Sequence, residues 1–165
     1  MRACVIFVTR YGNTEKVARS LGSGLTEAGV EASCLRSEDV TADSLRSCDL
    51  VCAGGPTEWL TASRPMREFI SGLEGIDLSG RLGYAFETRL DRPLSGSAAK
   101  PIERGLKRVG LRMVATHGSA RVFLVDGRTD DAGLVKGEEG RFEQIGVQVG
   151  LRMRARLEMA PASGR

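Results

Sequence analysis

The sequence predicts a doubly wound α/β domain: three αβα layers built around a five-stranded parallel sheet. Three observations predict it. Short apolar runs alternate with stretches of helical spacing along most of the 165 residues. The runs lack the polar alternation of a half-exposed strand, so both of their faces are covered. Each is followed by a helix or helix-like crossover, the connection that parallel neighbours require.

Cys4-Val5-Ile6-Phe7-Val8 is the first strand. Thr9–Thr14 leads into a helix with Val17, Leu21, Leu25 and Ala28 on one face, and Gly29 stops it. Ala32–Leu35 is a second, weaker strand, and Leu50–Ala53 a third that ends at Gly54-Gly55-Pro56. Met66, Phe69, Ile70 and Leu73 form a helical stripe with Pro65 in its first turn. Leu82–Phe86 is a fourth strand, followed by a polar loop and a helix facing inward through Ile102, Leu106 and Val109. Met113–Ala115 and Val122–Val125 make a fifth strand interrupted at Thr116–Ser119. Residues 126–140, rich in Gly and acidic side chains, read as a surface loop. A final helix carries Phe142, Ile145, Val149, Met153 and Leu157. The domain is expected to span residues 1–158, with 159–165 as a frayed tail.

The composition narrows the function. A chain of this length, 41% apolar and 27% charged, is an ordinary single globular domain that needs neither disulfides nor a structural metal to fold. No apolar run approaches a membrane span, and the N-terminus lacks a secretory pattern, so a cytoplasmic protein is expected. The net charge of +3 comes from Arg152, Arg154, Arg156 and Arg165 against Glu158, leaving 20 charges of each sign in residues 1–150. A nucleic-acid partner is not expected, because the body has no basic face interleaved with aromatics. Cys4, Cys34, Cys48 and Cys52 offer at best one metal hook, and His117 is the lone histidine. They read as buried free thiols.

In open α/β sheets ligands bind beyond the carboxyl ends of the strands. Three loops lie there: Thr9–Thr14, Gly55–Thr61 and Glu87–Ser97. The first sets two hydroxyl residues, a Gly and an Asn before a helix N-terminus, where backbone N–H groups and the helix dipole can hold a phosphate. A Walker loop would need a Lys after its last Gly. A dinucleotide fingerprint would need glycines opening the helix, whereas Gly22-Ser23-Gly24 falls inside it. A receiver domain would need carboxylates where Thr9 and Gly54-Gly55 stand. A plain helix-capping turn is the bland alternative for Thr9–Thr14, and half-buried packing the alternative for Trp59.

Thr-Arg-Tyr-Gly-Asn-Thr (9–14) resembles the phosphate loop of the flavodoxin family, and Gly54-Gly55-Pro56-Thr57-Glu58-Trp59 resembles the family's second, flavin-facing loop. Phe86-Glu87-Thr88-Arg89 through Gly96-Ser97-Ala98-Ala99-Lys100 is similar to a subgroup of small bacterial flavodoxin-domain proteins. The resemblance covers roughly residues 3–157 and implies the strand order 2-1-3-4-5. It also implies bound FMN. Thr9, Arg10, Tyr11, Gly12, Asn13 and Thr14 would hold the phosphate. Pro56, Thr57, Glu58 and Trp59 would flank one face of the ring, and Thr88, Arg89, Ser95 and Gly96 the other. The partner implied is a redox protein or a small quinone-like substrate. Leu60 stands where the family often has a Gly, and a left-handed backbone there costs a residue with a Cβ about 1–2 kcal/mol. No aromatic lies between Glu87 and Ser97, and the body is neutral where carriers are acidic. Electron transfer and flavin-dependent reduction, of a quinone or similar to the flavodoxin-like protoporphyrinogen oxidases, both fit. The alternative is a flavin-free binding module.

Overall fold

The computed structural model describes residues 1–125 and 128–159. Its first strand, β1 (Arg2–Phe7), is an unbroken apolar run because both faces are covered. Ala3, Val5 and Phe7 point into one apolar cluster and Cys4 and Ile6 into the other, the two-residue alternation of a pleated strand. β2 (Glu31–Arg36) and β3 (Leu50–Glu58) flank β1 in parallel, with Val5 opposite both Cys34 and Cys52. β5 (Leu82–Leu90) and β7 (Gly118–Val125) continue the sheet, and β8 (Arg128–Leu134) closes it antiparallel to β7. The order β2-β1-β3-β5-β7-β8 contains the expected 2-1-3-4-5 arrangement of five parallel strands. Two-residue strands lie off this path: β4 (Thr61–Ala62) hairpins onto β3, and β6 (Arg112–Met113) pairs with the start of β5.

Helix α1 (Asn13–Glu27) covers one face through Val17, Leu21 and Leu25, together with α5 (Glu138–Glu158) through Phe142, Val149 and Met153. On the other face lie α2 (Ala42–Arg46), α3 (Arg64–Gly72) and α4 (Ala99–Arg108), contributing Leu45, Met66, Ile70, Ile102 and Leu106. Gly24 and Gly146 let α1 and α5 touch backbone to backbone. A Cβ on Gly146 would stand 2.3 Å from the Leu21 carbonyl oxygen. At the start of α5, Glu138 is buried and accepts hydrogen bonds from Arg121 Nε at 2.9 Å and from Arg141. Arg154 and Arg156 are engaged as well, donating to the carbonyls of Ala28 and Met113.

Four sequence expectations need correction. β3 does not end at Ala53 but runs through Gly54-Gly55-Pro56 to Glu58, paired along Gly55 and Pro56 with Glu87 and Thr88. β5 likewise continues past Phe86 to Leu90, so Glu87 is a strand residue rather than the start of a loop. Within 126–140, read as loop, residues 128–134 form β8; an edge strand, paired on one side only, tolerates the charged, Gly-containing composition that disguised it. Cys34 and Cys52 are free thiols, but Cys4 and Cys48 form a disulfide, their Cα atoms 6.1 Å apart. Cys48 follows α2, which packs over β1 and brings the two sulfurs together. The short α2, opened by a Thr41/Ser44 capping box, was not foreseen. Of the expected tail, residues 160–165 lie outside the described residues.

Candidate functional site

Parallel strands aim their carboxyl ends the same way, so the segments after β1, β3 and β5 converge at one edge of the sheet. There they surround a hollow of about 170 Å3. Ten of the residues singled out from sequence line it: Thr9, Arg10, Tyr11, Asn13, Thr14, Pro56, Thr57, Glu58, Thr88 and Arg89. Leu90, Val122, Leu124 and Ala132 complete the wall and were missed. Nothing in their own sequence context marks them, because they reach the hollow only through the extension of β5 and the pairing of β7 with β8.

The β1–α1 loop is held open by its own hydrogen bonds. Thr9 Oγ1 accepts from the Gly12 N–H at 3.0 Å, and Gly12 has φ +82°, a left-handed conformation that glycine adopts freely. Gly12 is the N-cap of α1 and no side chain caps the helix. The first intrahelical bond runs from the Lys16 N–H to the Gly12 carbonyl, so the N–H groups of Asn13, Thr14 and Glu15 have no intrahelical acceptor. The side chains of Asn13 and Thr14 are committed elsewhere. Asn13 Nδ2 donates to the Ala132 carbonyl at 2.8 Å, tying the loop to β8. Thr14 and Thr88 share a buried hydroxyl–hydroxyl bond of 2.8 Å. One hydroxyl proton fills that bond, which leaves one for a ligand. The Arg10 guanidinium lies 5.2 Å from the Tyr11 ring centre and brings positive charge to the rim.

A buried carboxylate joins the other two segments. Glu87 is 2% exposed, and its Oε2 accepts from Thr57 Oγ1 at 3.1 Å, Ser97 Oγ at 3.0 Å and the N–H groups of Ala98 and Ala99. It therefore caps α4 while locking the end of β3 to the loop that follows β5, a favourable place for an anion. The legible signal was a charge abutting the covered run Leu82–Phe86.

Gly12, Trp59, Ser95 and Gly96 do not line the hollow. Trp59 and Leu60 form the two-residue loop of the β3–β4 hairpin, with φ +48° and +68°, and Trp59 is 97% exposed. Leu60 thus already holds the positive φ that its side chain was expected to resist. Gly96 packs against it so tightly that a Cβ would stand 2.3 Å from Leu60 Cα. The Ser97 N–H donates to the Leu60 carbonyl at 3.2 Å, and Arg89 Nη1 to the Gly96 carbonyl at 3.2 Å. Ser95 and Gly96 open onto a second cleft on the far side of this hairpin, which Arg89 also lines. The lone histidine, His117, bonds through Nδ1 to Glu103 Oε2 at 2.7 Å.

Known proteins share both this architecture and its sequence pattern. Over 93% of this chain and 99% of its own, an archaeal flavodoxin structure superposes with a TM-score of 0.76 at 19% identity. Flavodoxin 1 of Bacillus cereus superposes with a TM-score of 0.74 at 18% identity, covering 90% of this chain and 97% of its own. A flavodoxin of Clostridium saccharobutylicum is 27% identical over 89 residues, which are 53% of this chain and 56% of that relative's length. The flavodoxin family profile matches residues 5–144, a span that runs from β1 into α5 and includes the β1–α1 loop, Glu87 and the Trp59 hairpin. The chain belongs to the flavodoxin family.

Proposed function

We propose that the chain binds FMN at the β1–α1 loop and works as a redox protein. The observation that carries this reading is the uncapped N-terminus of α1: its first-turn N–H groups have no intrahelical acceptor, and Asn13 and the Thr14/Thr88 hydroxyl pair line the adjoining hollow. These groups fit a phosphate monoester, which needs several donors and favours the positive end of a helix. At about 170 Å3 the hollow is smaller than the roughly 300 Å3 of a typical small-molecule site. The ring of FMN would therefore rest on the rim, among Thr57, Glu58, Trp59, Thr88 and Arg89. Bound FMN supplies one- or two-electron redox chemistry that no side chain can. The chain's residues hold the phosphate, orient the ring and leave one side of it accessible.

That accessible side favours a small-molecule reductase over a carrier. Between Glu87 and Ser97 the large apolar residues are Leu90, in the wall of the hollow, and Leu94, 93% exposed, and no aromatic stands in that stretch. Among the described residues no helix is long and apolar enough to cross a membrane.

Adding FMN to the apoprotein while following Trp59 emission tests the reading. An indole as exposed as Trp59 emits at long wavelength, and quenching on FMN addition, with riboflavin binding more weakly, is the expected result. A protein whose emission and whose FMN absorbance both ignore each other's presence is not a flavoprotein.

A further inference from the structure

Beyond the hairpin lies an open cleft of about 640 Å3, bounded by the β3–β4 turn, the 91–97 loop, α4 and the start of β7. Its charged lining residues are mostly cations, Arg89, Lys100 and Arg104 against Glu87, and His117 stands among them. Among the described residues, Arg89, Lys100 and Arg104 have no carboxylate within ion-pair distance. The nearby acids are already engaged. Glu87, the one carboxylate in the lining, spends Oε2 on four donors. Glu103 lies between Lys107 Nζ at 2.6 Å and His117 Nδ1 at 2.7 Å. Two hydroxyls in the lining, Ser95 Oγ on the loop and Ser119 Oγ on β7, are buried with no hydrogen-bond partner among the described residues. An unpaired buried hydroxyl is costly. Two of them in the lining of a cationic cleft are donors without an acceptor.

We propose that this cleft binds an oxyanion, the carboxylate or phosphate group of a small organic acid. Arg104 and Lys100 supply the charge, and Ser95 and Ser119 the neutral donors. Because Arg89 lines both this cleft and the FMN hollow, the acid held here presents its other end to the ring. Its role as redox substrate rests on the FMN reading, whereas the anion binding does not.

Calorimetric titration with inorganic phosphate and, separately, with succinate, at constant ionic strength, tests it on the wild-type chain and on two variants. Saturable binding of at least one anion that persists in Thr14→Val is expected, and in that variant the tighter of the two names the group. Lys100→Gln/Arg104→Gln should weaken it at least tenfold, about the effect of losing one charge-assisted contact. Ser95→Ala should weaken it several-fold, and Arg104→Lys should recover part of the loss. Thr14→Val, which alters the other site, should leave it intact. No saturable binding, binding indifferent to the double variant, or binding lost in Thr14→Val would each overturn the proposal. FMN titration of the same proteins keeps the two readings apart. A wild-type chain that takes succinate but not FMN retains the anion site and loses the flavin reading.

Discussion

The Thr14/Thr88 pair carries a sharp consequence for binding. Replacing Thr14 by Val removes the shared bond and the Thr14 hydroxyl, leaving Thr88 as the lone hydroxyl of the pair. A lost hydrogen bond to a charged group costs roughly 1.5–3 kcal/mol, so FMN affinity should fall tenfold or more. Riboflavin, which lacks the phosphate, should bind as before; equal losses for the two ligands would show that the loop does not hold the phosphate. Glu138 is a structural counterpart. Burial by itself would raise its pKa, but hydrogen bonds from Arg141 and Arg121 outweigh that and hold it below the usual carboxylate range. A lowered folded pKa means the pair stabilises fully above the unfolded value of about 4.3. The contribution is lost as pH falls through the lower folded value. Both arginines are about half exposed, at 49% and 45%, and water screens the pair. Glu138→Gln should therefore cost about 1–2 kcal/mol at pH 7, less than the roughly 3–5 of a fully buried pair, with the deficit shrinking in acid. Urea unfolding at pH 7 and at pH 3 checks both points.

Among the elements, the β3–β4 hairpin is the one built against its own sequence. A two-residue loop with both φ values positive favours Asn-Gly, yet Trp59 and Leu60 occupy it, both largely exposed. Trp59→Asn/Leu60→Gly should raise stability by about 1–2 kcal/mol, from relief of left-handed strain, while weakening FMN binding. A urea midpoint that does not rise would mean the turn stores no strain. The same hairpin marks the limit of what could be read from the chain. The covered strands, the helical stripes and the Thr9–Thr14 loop were legible because each repeats a local pattern of apolar spacing or capping. Leu90, Val122, Leu124 and Ala132 were not, since their roles arise from pairing across the sheet. Reading strands by apolar content also stopped β3 and β5 too early. Polar Glu87 and Thr88 are buried there because partners from three segments satisfy them. Trp59 was legible as a residue and not as a position: the chain names an aromatic, but only the turn shows it standing in water.

For the whole molecule, the contact between α1 and α5 decides whether the site exists. α1 carries the donors of the β1–α1 loop at its N-terminus, and Gly146 sets how near α5 comes. Gly146→Leu puts atoms where the Leu21 carbonyl lies. Overpacking of a well-filled core costs about 1–3 kcal/mol, and here the obstacle is backbone that cannot rotate aside. The expected loss is at or above that range, visible as a lower thermal midpoint, with weakened FMN binding as α1 is displaced. The pairing of these two helices also governs the order in which the chain can assemble. α1 is made well before α5, so the stripe of Val17, Leu21 and Leu25 waits uncovered by its partner helix while more than a hundred residues are made. Contacts this distant in sequence make folding slow and leave apolar surface open to association meanwhile. A chain stopped at residue 136 should be recovered aggregated rather than folded, and a full-length chain should gain protease resistance only after its C-terminal helix is free to dock.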